Sequence, residues 1–94
     1  DVIIDEVCKF YNIDPATLRG QGRSKDISLA RQIAMYQIRR MTNLSLKEIG
    51  REFDNRDHTT VLHSIERIEE LSKNDPEKME IIKDIIANIN SRYE

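Results

Sequence analysis

The chain has 94 residues, a size that holds one domain. It is 34% charged and 38% hydrophobic, and no apolar run approaches the ~18 residues of a membrane span. Taken globally, a formal net charge of −2 weighs against nucleic acid, and the single cysteine, Cys8, excludes an internal disulfide or a multi-cysteine metal site.

No segment alternates with a period of two over a useful length, so no strand is predicted, whereas helical spacing recurs throughout. Ile4, Val7, Cys8 and Tyr11 form an i, i+3, i+4, i+7 stripe for a first helix, which makes Cys8 a buried small hydrophobe. Asp14 before Pro15 reads as an N-cap with proline at the first helical position, opening a short second helix through about Arg19. Residues 20–25 form a glycine-containing basic loop. A long third helix is expected from about Ile27 to Thr42, with Ile27, Ala30, Ala34, Ile38 and Met41 on one face and Asp26 as a candidate cap. Ser45 and Glu48 form a capping box, and Leu44 and Ile49 are placed for a hydrophobic staple on the same turn. In the short fourth helix that follows, Leu46, Ile49 and Phe53 face inward, until the turn formers Asp54 and Asn55 interrupt it. Asp57 then caps a fifth helix whose stripe is Val61, Leu62, Ile65, Ile68 and Leu71. Asp75-Pro76 repeats the cap-plus-proline start, and Met79, Ile82, Ile86, Ile89 and Tyr93 form the last stripe, with Ile81 and Ile85 flanking it. The predicted class is all-α, with about six helices and no internal repeat.

Charge is unevenly placed along this chain. Residues 1–18 carry a net −3, residues 19–63 a net +4 and residues 64–94 a net −3. Within 19–47, seven bases meet a single acid, Asp26. The acidic ends enclose a basic middle and are expected to face away from any polyanionic partner.

Residues 46–53 and 57–71, joined by a short turn, make a helix-turn-helix packed on the third helix, and Gly50 would allow the pair to approach closely. That spacing alone also suits many helical bundles. The composition of the second helix's start carries more: Arg56, Asp57, His58, Thr59 and Thr60 precede the first apolar residue, Val61, so they lie at an exposed N-terminus. A recognition helix presents such side chains to base edges in the major groove. Arginine can donate twice to guanine, aspartate can accept from cytosine, and a threonine methyl can touch a thymine methyl. Capping and base contact are compatible roles for Asp57. His58 and His63 are five residues apart, about 140° around a helix, so they do not form a metal pair. No catalytic constellation is seen, and the phosphate-binding loop of nucleotide hydrolases is absent, so no enzyme activity is expected of the chain.

The run R-D-H-T-T-V-L-H, Arg56 to His63, resembles the signature of the C-terminal DNA-binding domain of the DnaA chromosomal replication initiators. The resemblance extends through A-R-Q-I-A-M-Y at Ala30 to Tyr36 and T-N-L-S-L-K-E-I-G at Thr42 to Gly50, and so covers essentially the whole chain. It implies sequence-specific binding of double-stranded DnaA boxes at a bacterial replication origin. By matching position it implies major-groove base contacts for Arg56, Asp57, His58 and Thr59. It places Arg23 in the adjacent minor groove, supported by Lys25. It puts Arg31, Gln32, Thr42, Asn43, Thr60 and His63 at the phosphates. Lys47 stands where many members have proline, and could add a phosphate contact; Asp54-Asn55 stand where many have two glycines.

With no secretory signal and no initiator methionine, Asp1 is expected to begin an excised C-terminal portion of a longer, cytoplasmic protein, with residues 1–94 as one DNA-binding domain. The resemblance implies that ATP belongs to an ATPase module outside this chain; no cofactor or metal site is expected among these residues, and the domain is expected to read its site as a monomer. The competing readings are a transcription regulator using the same helix-turn-helix, and a helical protein-interaction module.

Overall fold

The computed structural model describes residues 2–93. Six helices follow one another: α1 (Val2–Tyr11), α2 (Pro15–Arg19), α3 (Lys25–Met41), α4 (Leu46–Glu52), α5 (His58–Asn74) and α6 (Pro76–Arg92). The all-α class and the helix-turn-helix within it are as the sequence predicts.

Local side-chain chemistry starts each of the last five helices. Asp14 accepts from the Ala16 N–H at 3.1 Å, with Pro15 behind it. Ser45 and Glu48 make both halves of the capping box, at 3.1 and 3.0 Å. Asp57 accepts from the Thr59 N–H and Asp75 from the Lys78 N–H, each at 3.2 Å. The third helix corrects the expected boundary. Ser24, not Asp26, is its N-cap, with its hydroxyl accepting from the Ile27 N–H at 3.2 Å. The helix therefore begins two residues early, and Asp26 sits in the first turn, where a carboxylate still favours the positive end of the helix dipole.

α3 is the centre of the molecule and packs on α1, α2, α4 and α5. Its burial does not follow one stripe. Ala30, Ile33, Ala34, Met35, Tyr36 and Ile38 are all inside, while Met41, expected on the core face, is 38% exposed. α6 packs on α1 and α5, and its buried residues are Ile82, Ile85 and Ile89. Ile85, expected at the flank, is inside, Ile86 is half-buried, and Tyr93 is exposed, so the helix is rotated from the expected stripe. Arg92 ties α6 to α1 by ion pairs to Glu6 at 3.1 Å and Asp5 at 3.8 Å. Val61, Ile65 and Ile68 seat α5, but Leu62 is 39% exposed and lies on its outer surface.

The helix-turn-helix depends on Gly50. Its carbonyl accepts from the Phe53 N–H at 3.1 Å and the Arg56 N–H at 3.0 Å, which folds the turn back on α4. Asp54 and Asn55 supply the left-handed residues of that turn, with φ of 60° and 54°. A Cβ at position 50 would overlap the Arg56 carbonyl oxygen, a backbone atom with little room to yield. Gly50→Ala is expected to lower stability by about 1–3 kcal/mol despite alanine's higher helix propensity. Thermal unfolding checks this, and a midpoint equal to or above that of the parent chain would contradict it.

Candidate nucleic-acid interface

The start of α5 gathers five of the sequence-predicted contact residues. His58, Thr59, Thr60 and His63 are exposed, and so is the capping Asp57. One carboxylate oxygen of Asp57 holds the Thr59 N–H, and the other lies 3.5 Å from Nδ1 of His58. Hydrogen bonding with Thr59, through its side chain and then its backbone, holds the Asp57 carboxyl below the usual carboxylate range. The residue therefore stays an anionic acceptor at neutral pH.

Cations surround this turn. Lys47, Arg51 and Asn55 line one groove with Asp57 and His58, and Arg39, Ser45, Leu46 and Lys47 line a second that also reaches His58. Arg39 keeps one donor on the Leu44 carbonyl at 2.8 Å, and Arg40 stacks on Tyr36 and donates to its hydroxyl at 2.7 Å. Thr42 caps α3: its hydroxyl donates to the Ile38 carbonyl at 2.7 Å and accepts from the Leu44 N–H at 3.2 Å. Asn43, next to it, is exposed.

A second group lies beside the loop between α2 and α3. Exposed Arg23 and Lys25 line a cleft with Asp26, Gln32, Arg67 and Lys78. Gln32 is half-buried, and its Oε1 has no hydrogen-bond partner. Asp75 lines the cleft too, so four cations from the α2–α3 loop, α3, α5 and α6 meet two carboxylates, an excess of positive charge.

Arg31 and Arg56, expected at a phosphate and at a base edge, both direct donors to backbone carbonyls. Arg31 is 7% exposed, and its guanidinium donates to the carbonyls of Leu18 at 2.7 Å, Gly22 at 3.1 Å and Thr17 at 3.4 Å. Arg56 is half-buried and donates to the carbonyls of Arg19 at 2.9 Å, Phe53 at 2.7 Å and Gly20. Its guanidinium is engaged with backbone carbonyls, and the residue also lines the groove that holds Asp57 and His58. Burial lowers the pKa of both groups, and proximity to Arg56 lowers that of Arg31 further.

Arg39, Arg51, Arg67 and Lys78 are cations that motif reading did not single out. Two of them carried a signal: Arg51 is four residues after Lys47 on α4, and Arg67 is four after His63 on α5, spacings that share a helix face. Among the described residues, no group of three or more His, Cys, Asp or Glu is placed to hold a metal ion. No helix among them is long and apolar enough to cross a membrane.

Residues 1–68 match a family described as the bacterial dnaA protein helix-turn-helix. The chain is 43% identical over 81 residues to the chromosomal replication initiator protein DnaA of Thermus thermophilus, a match covering 86% of this chain and 19% of the relative. It is 42% identical over 90 residues to that of Crocosphaera subtropica, covering 96% and 20%. With that of a Synechococcus strain it shares 51% over 73 residues, covering 78% and 16%. The chain thus spans no more than 20% of the length of these relatives.

The Asp57 cap has a pH signature. A carboxyl whose folded-state pKa is depressed stabilises the fold above its unfolded value and loses that contribution as pH falls through the folded value. Asp57→Asn keeps a capping oxygen and removes the titration. Between about pH 6 and about pH 2.5 the parent chain should therefore lose more stability than the variant. Urea unfolding at both pH values checks this, and parallel losses would contradict it.

Proposed function

The chain belongs to the bacterial DnaA helix-turn-helix family, and from that premise we propose that it binds double-stranded DNA at the DnaA boxes of a replication origin, as one step of replication initiation. The observation that carries the reading is the exposed polar turn at the head of α5, ringed by cations. In the proposed complex this turn lies in the major groove. Asp57 accepts from an exocyclic amine, His58 donates to or accepts from a base edge, and the Thr59 methyl meets a thymine methyl. Arg23 enters the adjacent minor groove, where a narrow A·T-rich segment favours a guanidinium, with Lys25 beside it. Lys47, Thr42, Asn43, Gln32, Thr60 and His63 serve the phosphates, joined by Arg39, Arg51 and Arg67 from the same surface. Arg31 and Arg56 are left out of the contact set because their donors are on backbone carbonyls.

The proposed role is binding and not catalysis, with ATP chemistry left to other parts of a longer protein, and one domain reads one asymmetric site. α4 packs on α3 and α5, whereas α6 packs on α1 and α5. This suits an orientation in which the outward face of α6 looks away from the duplex, while Lys78 in its first turn stays at the loop cleft.

At fixed salt, a duplex carrying a DnaA box should bind on the order of 10³-fold more tightly than a scrambled duplex. His58→Ala should cost about 1–3 kcal/mol on the box and relax discrimination, while Lys47→Ala should weaken both duplexes alike and lower the salt slope by about one. Fluorescence anisotropy titrations over a salt series measure all three. Equal affinity for the two duplexes would overturn the proposed specificity.

A further inference from the structure

We propose that Arg56, together with Arg31, is a positioning residue: the two guanidiniums clamp the carbonyls of α2's last turn and its following loop, fixing the loop that carries Arg23 against the turn that leads into α5. This rests on the reading above, in which loop and turn address one duplex, and adds that the two are held as one rigid reader.

The last carbonyls of a helix have no partner within it, and α2 has only five residues. Here the carbonyls of Thr17, Leu18, Arg19 and Gly20, four in succession, each receive a donor from an arginine, and that of Gly22 receives a fifth. Arg31 approaches from α3. Arg56 approaches from the helix-turn-helix, 37 residues away from Arg19 in sequence, and also holds the Phe53 carbonyl of its own turn. A guanidinium fork can span several carbonyls at once, which an ammonium cannot match, and a cation is favoured at a helix C-terminus. Two further side-chain links join the same segments. Gln21 Nε2 donates to Asp54 Oδ2 at 2.7 Å, and Arg19 lies 3.9 Å from Glu52. Residues 19, 20 and 21 are thus fastened to residues 52, 54 and 56, and Arg23 follows two positions after Gln21. Burial lowers the pKa of Arg31, and repulsion from the nearby Arg56 guanidinium lowers it further. The shared set of carbonyls offsets that repulsion.

A rigid reader makes the contributions of loop and turn interdependent. Arg56→Lys keeps the charge and loses the fork, and Gln21→Ala removes an exposed link with no change in the core. Each should be combined with Arg23→Ala and titrated with box and scrambled duplexes, with circular dichroism to follow folding. In the parent chain Arg23→Ala weakens box binding; in either background the same change should have an effect smaller by about threefold or more, because a loosened loop already presents Arg23 poorly. In the free protein, amide ¹⁵N relaxation should show residues 20–24 becoming more mobile in both variants, while α6 is unaltered. Additive losses in both cycles, with unchanged loop relaxation, would overturn the clamp and leave Arg56 either a direct base contact or a local brace. Should Arg56→Lys fail to fold, Gln21→Ala decides by the same two readouts. Should the parent chain bind both duplexes equally, the origin-box reading fails while relaxation in the free protein still decides the clamp.

Discussion

Backbone approaches backbone at Gly50, and the presentation of the whole site depends on that contact. With no side chain at this position, α4 lies against the Arg56 carbonyl, and the Gly50 carbonyl can take N–H groups from both Phe53 and Arg56. Asp54 and Asn55, both at positive φ, let the chain reverse over this short distance. Asp57 then starts α5 clear of α4, so its first turn projects polar side chains outward while Val61, Ile65 and Ile68 anchor the rest of the helix on α3 and its neighbours. A helix start that is exposed, capped by an anion and surrounded by cations is therefore a result of packing as much as of composition.

The net charge of −2 and the behaviour of the surface are different properties. Seven bases lie in residues 19–47, yet Arg31 is buried on backbone carbonyls and Arg40 is stacked on Tyr36. Two groups of cations line open grooves: Arg39, Lys47 and Arg51 around His58, and Arg23, Lys25, Arg67 and Lys78 around the loop cleft. Lys78 belongs to the net-acidic last third of the chain, so the block arithmetic along the sequence only approximates the surface. Folding sorts charge by face, and screening makes the nearest charges count most.

Local signals were the legible ones. The Ser45–Glu48 box, the Asp-Pro starts at 14–15 and 75–76, and the Asp57 cap depend on residues within a few positions of one another, and each appears where its spacing places it. Ser24 and Asp26 are both competent caps, and a choice between them turns on which φ/ψ the incoming loop adopts. The face of α3 was unreadable by periodicity because a helix packed on four others has no single face. In α6, isoleucines at 81, 82, 85, 86 and 89 support two overlapping stripes, and packing against α1 and α5 selects Ile82, Ile85 and Ile89. Of the site, the exposed turn from Asp57 to Thr60 was legible from its position before the first apolar residue. The direction of Arg56 was not: it is decided by carbonyls left open at the end of α2, more than 30 residues earlier.

In the proposed complex one face, made of the α5 start and the α2–α3 loop, meets the duplex. Amide shift mapping during titration with a box-containing duplex tests it most directly. His58, Thr59, Thr60 and Arg23 should shift together, with the outward face of α6 unmoved. Shifts concentrated on α1 and α6, or none at the head of α5, would contradict it.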